Sequence, residues 1–77
     1  MQKVADYISK NIKRINHDIK IGLIPLSVMQ NYEIYNLYLS VCEYENKPMT
    51  RYSIVANRCK ISVSTVRKSI REMEKIA

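Results

Sequence analysis

The chain has one glycine, two prolines, one histidine and two cysteines among 77 residues, and each scarcity removes a class of chemistry. With Gly22 as the only glycine, no glycine-rich loop can cradle a nucleotide phosphate. His17 stands beside Asp18 with no second metal ligand or nucleophile close in sequence, so it reads as an ordinary surface residue, and no paired carboxylates mark a plausible pocket. A non-enzyme without cofactor or metal is the expectation. Cys42 and Cys59 are far apart, form no C-x-x-C pair and fall on apolar helical faces, which reads as small buried thiols rather than a disulfide or redox switch. No apolar run reaches the ~18 residues a membrane span needs, and the opening Met-Gln-Lys-Val-Ala-Asp is not a secretory signal. A cytoplasmic protein is therefore expected.

What the chain does have is apolar residues and positive charge. At 47% hydrophobic it is globular rather than disordered. It is short enough for one domain, residues 1–77, and a domain of this size buries only about 60% of the surface its unfolded chain exposes. The net charge of +6 is uneven. Residues 1–25 carry five cations against two aspartates, net +3; residues 26–50 carry one lysine against three glutamates, net −2; residues 51–77 carry seven cations against two glutamates, net +5. A basic concentration of this kind is the electrostatic footprint for a polyanion.

The same C-terminal third holds the clearest pattern. Val55, Ala56 and Cys59 share one face of a first helix, Ile61 follows in a short connection, and Val66, Ile70 and Met73 form the inward stripe of a second. Two helices crossing steeply over a tight turn need a small side chain at closest approach, and Ala56 sits there. Thr50, after Pro48, can cap the first helix, and Ser62 can cap the second.

Ala56, the run Ile61-Ser62-Val63-Ser64-Thr65-Val66-Arg67 and Ile70 resemble the helix-turn-helix of bacterial DNA-binding regulators, most closely the GntR-type winged-helix proteins with their Val-Ser-x-x-Thr-Val-Arg signature. Ile61 replaces the first Val. The likeness covers roughly 20 to 25 residues, and sigma-factor and LuxR-type DNA-binding domains share much of it. Families of this kind carry Gly at the turn, where this chain has Lys60; a non-glycine residue in a left-handed conformation costs about 1 kcal/mol, so either the turn is strained or its geometry differs. Winged-helix relatives continue into a β-hairpin wing after the last helix, and this sequence ends at Ala77 without one, as expected of a wingless protein or of the N-terminal part of a longer one.

The resemblance implies sequence-specific binding of double-stranded DNA in transcription regulation. With Val66 inward, Ser64, Arg67, Lys68, Arg71 and Lys75 fall on the opposite side of the second helix. Surface helices often carry such cations as solvated decoration; the combination with Ala56, the caps and the turn spacing is what gives them meaning. A helix of this width fits the major groove, where Arg can donate two bonds to guanine and Ser or Thr can bond bases or phosphates. Ser64, Arg67 and Lys68 are expected near base edges, Val63 against a thymine methyl, and Thr50, Arg51 and Tyr52 at a phosphate near a helix start. With Ser62, Thr65 and Arg71 these complete the candidate DNA-binding set.

The remainder reads as support. Residues 1 to about 17 look helical, with Val4, Ile8, Ile12, Ile15 and Ile19 in a narrow heptad-like seam. That seam can pack on its own domain, pair residues 1–20 with a second copy to make a homodimer, or lay a basic arm along DNA. Ile19 to Leu26 reads as an extended connection, with Ile19-Lys20-Ile21 alternating like a short strand. From Ser27 to Tyr44 a central helix carries Val28, Tyr32, Tyr35, Leu39 and Cys42 in one stripe and Ile34, Tyr38 and Val41 in another; its tyrosines can also stack on single-stranded bases, but they sit at core spacing. Asn46, Lys47 and Pro48 read as the loop that follows. The expected fold is all-α: a three-helix helix-turn-helix core from about 28–45, 51–59 and 63–75, within residues 27–77, plus an N-terminal amphipathic helix. The same module also serves plasmid or phage replication, partition or recombination, and a protein-interaction role with an acidic partner is the competing reading.

Overall fold

In the computed structural model, which describes residues 2–75, the chain forms five helices and, among the described residues, no strand pairs into a sheet. They are α1 (Val4–Lys10), α2 (Ile12–Lys20), α3 (Leu26–Cys42), α4 (Pro48–Cys59) and α5 (Val63–Glu74). The fold is all-helical, as the periodicities predict. None of these helices is long and apolar enough to cross a membrane.

The N-terminal segment is two helices rather than one. Asn11 interrupts it: its side-chain Nδ2 donates to the Tyr7 carbonyl at 2.9 Å, and its backbone adopts φ −121°, ψ 30° before the helix resumes. Asparagine side chains compete with the backbone for local carbonyls in this way, which a periodicity of isoleucines cannot report. The heptad seam is bent as a result. Ala5, Ile8 and Ile15 are buried within the protomer, and Val4 and Ile12 are partly buried against its core.

The strand-like reading of Ile19-Lys20-Ile21 is corrected. α2 continues through Ile19 and Lys20, and the turn begins at Ile21. There the backbone N–H groups of Leu23 and Ile24 both reach the Asp18 carbonyl, at 2.8 and 3.3 Å, while Gly22 takes φ 85°, the left-handed conformation that glycine adopts without penalty. Pro25 then precedes α3 in an extended conformation, φ −62°, ψ 142°.

α3 lies at the centre. It packs most extensively on α5, then on α4, and touches α1. Tyr35 and Val41 are its buried residues; Val28, Tyr32, Ile34, Leu37 and Tyr38 are partly buried against the same core, so apolar side chains leave it in several directions. Leu39, expected in the inward stripe, is 45% exposed instead. Its neighbours Leu37 and Val41 take the contacts, because a helix covered from two sides has no single inward stripe.

The molecule is a slab of 37 × 28 × 16 Å. One layer of core fills it: Ile8 from α1, Tyr35 and Val41 from α3, Val55 and Ala56 from α4, and Val66, Ile70 and Met73 from α5. Each large aliphatic buried there contributes about 1.5–3 kcal/mol relative to exposure. Cys42 and Cys59 are free thiols, both half-buried.

Candidate nucleic-acid interface

α4 and α5 meet across a turn of three residues, and its geometry explains how α5 is aimed. α4 starts at Pro48, three residues earlier than a Thr50 cap requires. Proline suits the first helical position, since its φ is preset and its absent N–H has no acceptor to lose. Thr50 is thus the third residue of α4 and half-buried, and no side chain caps this helix. At the other end Lys60 takes φ 57°, ψ 44°, the left-handed conformation, and the N–H groups of Lys60 and Ile61 both turn back to the Ala56 carbonyl. The turn therefore keeps the geometry that favours glycine, with a lysine in it.

Ser62 caps α5 as expected. Its Oγ accepts the Thr65 N–H at 3.2 Å and lies 2.9 Å from the Thr65 hydroxyl, so both side chains are engaged at the cap. The first N–H groups of the helix, on Val63 and Ser64, have no intrahelical acceptor. Val63 is half-buried against the core, while Ser64 and Thr65 are exposed.

Val66, Ile70 and Met73 are all buried, with Ile61 packed partly beneath them. Opposite, Arg67, Lys68 and Arg71 are exposed, and among the described residues none of the three is within ion-pair distance of a carboxylate. Lys75 differs. Its ammonium group donates to both carboxylate oxygens of Glu72, at 3.0 and 3.1 Å, and so is set apart from the cationic stripe.

The residues at the start of α4 are more occupied. The Arg51 guanidinium donates through Nε to the Glu45 carbonyl, tying it to the α3–α4 loop. Tyr52 stacks on Tyr38 with ring centroids 5.8 Å apart, and Tyr38 stacks on Tyr35 at 6.4 Å. One edge of Tyr52 lines a shallow groove with Arg67, Ile70, Arg71, Glu74 and Lys75, and a second groove on the far side of the arginines runs among Ser64, Lys68 and Glu72. The structure thus brings Tyr52, Arg67 and Arg71 together; Thr50 borders neither groove.

Two features of α5 escape the sequence pattern. Ser69 is buried and donates to Asn31 Oδ1 of α3 at 2.8 Å. It lies three residues after Val66, inside the inward arc, so its burial was legible, but its partner 38 residues away was not. The second is Glu74. It accepts from the Tyr35 hydroxyl at 3.4 Å and lies 3.9 Å from Lys3 Nζ, while the Val4 N–H donates to the Lys75 carbonyl at 2.8 Å. The C-terminal end of α5 is therefore held by the start of α1. Burial pushes the Tyr35 hydroxyl above the ordinary tyrosine pKa of 10.0, with the Glu74 carboxylate adding to the effect. Burial also raises Tyr38, Cys42 adds to this, and Arg51 opposes it.

No protein family, curated protein or solved structure compared with this chain matches it.

Proposed function

We propose that this protein binds double-stranded DNA in a sequence-specific manner and regulates transcription in the cytoplasm. In this reading α3, α4 and α5 are the three-helix core of a helix-turn-helix, and α5 is the recognition helix. The observation that carries the reading is the outer face of α5. Three exposed cations, Arg67, Lys68 and Arg71, stand without a carboxylate partner among the described residues, directly behind the buried Val66 and Ile70. Affinity comes mainly from neutralised phosphates, and base contacts add roughly 1–3 kcal/mol of discrimination per good pair. Ser64, Arg67 and Lys68 meet base edges, Val63 a thymine methyl, and Tyr52 with Arg71 a phosphate beside the groove they share; Ser62 and Thr65 serve through the cap. The same docking physics serves replication, partition or recombination.

Salt-titrated binding to random duplex DNA tests the class. Affinity should fall steeply as salt rises, with a logarithmic slope of about −0.9 per phosphate neutralised. Negligible affinity at low salt, or a flat dependence, overturns the reading in favour of a protein partner. On a duplex selected from a random pool, Arg67→Ala should lose far more affinity than on random duplex, whereas Lys75→Ala should weaken both alike and only slightly, because Glu72 already holds that ammonium group. Equal large losses for both variants on both DNAs would remove the assigned division of roles.

A further inference from the structure

Two of the described residues hold a left-handed backbone conformation, and the chain fills the two positions differently. Gly22, in the α2–α3 turn, takes φ 85°, which glycine adopts freely. Lys60, in the α4–α5 turn, takes φ 57° against the opposition of its own Cβ. Backbone strain of this kind gathers at functional sites, where the side chain that causes it has a use.

The surroundings of Lys60 show what that use is. From Asn46 to Arg71 the sequence has seven cations and no aspartate or glutamate. Lys60 is exposed, and among the described residues no carboxylate lies within ion-pair distance of it. Its neighbours Cys59 and Ile61 line a cleft against α3 together with Glu33, but Lys60 does not line that cleft. No ion pair within the molecule therefore offsets the strain. Lys60 precedes Ser64, the first residue of α5 assigned to base edges, by four positions, so their Cα atoms are at most about 14 Å apart. The major groove is about 12 Å wide between its phosphate walls. With Ser64 at the bases, the Lys60 ammonium group is within reach of a wall.

We infer that Lys60 is a phosphate contact, a charge held where the shape of the turn favours glycine, and that it sets how α5 sits in the groove. The inference rests on α5 being the recognition helix. As a backbone contact Lys60 adds affinity on any duplex and no preference among sequences.

Duplex binding and thermal melting of four full-length variants test this. Lys60→Gly should melt up to several degrees higher than the parent, yet bind random and selected duplex more weakly by the same factor. One phosphate contact contributes a logarithmic slope of about −0.9, so the parent's advantage should shrink about 3.5-fold between 50 and 200 mM salt. Lys60→Gln keeps the Cβ and removes the charge; it should lose the same affinity with no gain in melting temperature. Lys60→Arg should match the parent in both measurements. Lys20→Gln removes the same charge at the exposed end of α2 and should leave the salt slope unchanged. A loss of affinity confined to Lys60→Gly overturns the inference, since it lies with the flexibility of the turn. So does an equal loss in Lys20→Gln, which lies with net charge, or a lower melting temperature in Lys60→Gly, which gives the side chain a use within the fold. A parent that binds duplex while every Lys60 variant binds as tightly overturns this inference alone. A parent with no affinity at low salt overturns the reading of α5 and this inference with it.

Discussion

At the scale of single residues the turn between α4 and α5 shows a local rule obeyed in shape and broken in composition. Lys60 holds the left-handed conformation that lets its own N–H and that of Ile61 return to the Ala56 carbonyl, although a Cβ in that conformation costs about 1 kcal/mol. Lys60→Gly should therefore stabilise the protein by up to about 1 kcal/mol, offset in part by the freedom glycine adds to the unfolded chain. For a domain of this size that corresponds to several degrees in Tm. A thermal melt that falls on this substitution would mean the lysine side chain supplies more than the strain removes. Lys75 makes the complementary point. Sequence position puts it in the cationic stripe, and only the rotamer shows its charge spent on Glu72.

At the scale of elements, periodicity performs best where one face is buried and the other solvated. α5 meets that condition, so Val66, Ile70 and Met73 were legible as its core side, and Arg67, Lys68 and Arg71 as its outer side. α3 does not, and Leu39 was misplaced because helices cover α3 from more than one direction. The break at Asn11 was illegible for another reason: it depends on one side chain reaching a carbonyl four residues back. Ala56 is buried in the shared core beside the α4–α5 turn, with its carbonyl receiving two turn N–H groups. Ala56→Leu should cost about 1–3 kcal/mol through overpacking, read as a lower denaturation midpoint at unchanged m-value. A neutral result would show that the core around Ala56 accommodates the larger side chain without loss.

At the scale of the whole molecule, three tyrosines bind the helices into one unit. Tyr35 reaches from α3 to Glu74 of α5, and Tyr38 stacks between Tyr35 and Tyr52 of α4. Because Tyr35 and Tyr38 hold their protons above the ordinary value of 10.0, the folded chain binds more protons than the unfolded chain at high pH. Their contribution is complete below pH 10.0 and is lost as pH rises through their folded-state values. Urea midpoints should thus be flat on the acid side of that point with respect to these groups, and should drop beyond it. Tyr35→Phe, which keeps the ring and removes the titrating hydroxyl, should soften the drop. An alkaline profile identical in the variant would assign the loss to other groups.

The sequence alone determined that the chain is helical, which sides of α4 and α5 turn inward, where α5 is capped, and that positive charge gathers in the last third. Each of these follows from local physics: a 3.6-residue period, a serine at a helix start, a count of charges. Tertiary structure alone decided that Asn31 receives the buried Ser69 hydroxyl, that the start of α1 holds the end of α5, and that the apolar seam of residues 4–15 faces its own protomer. It also decided which leucines are left in water at the two ends of α3. These outcomes depend on groups tens of residues apart competing for the same thin core, and no window along the chain contains both competitors.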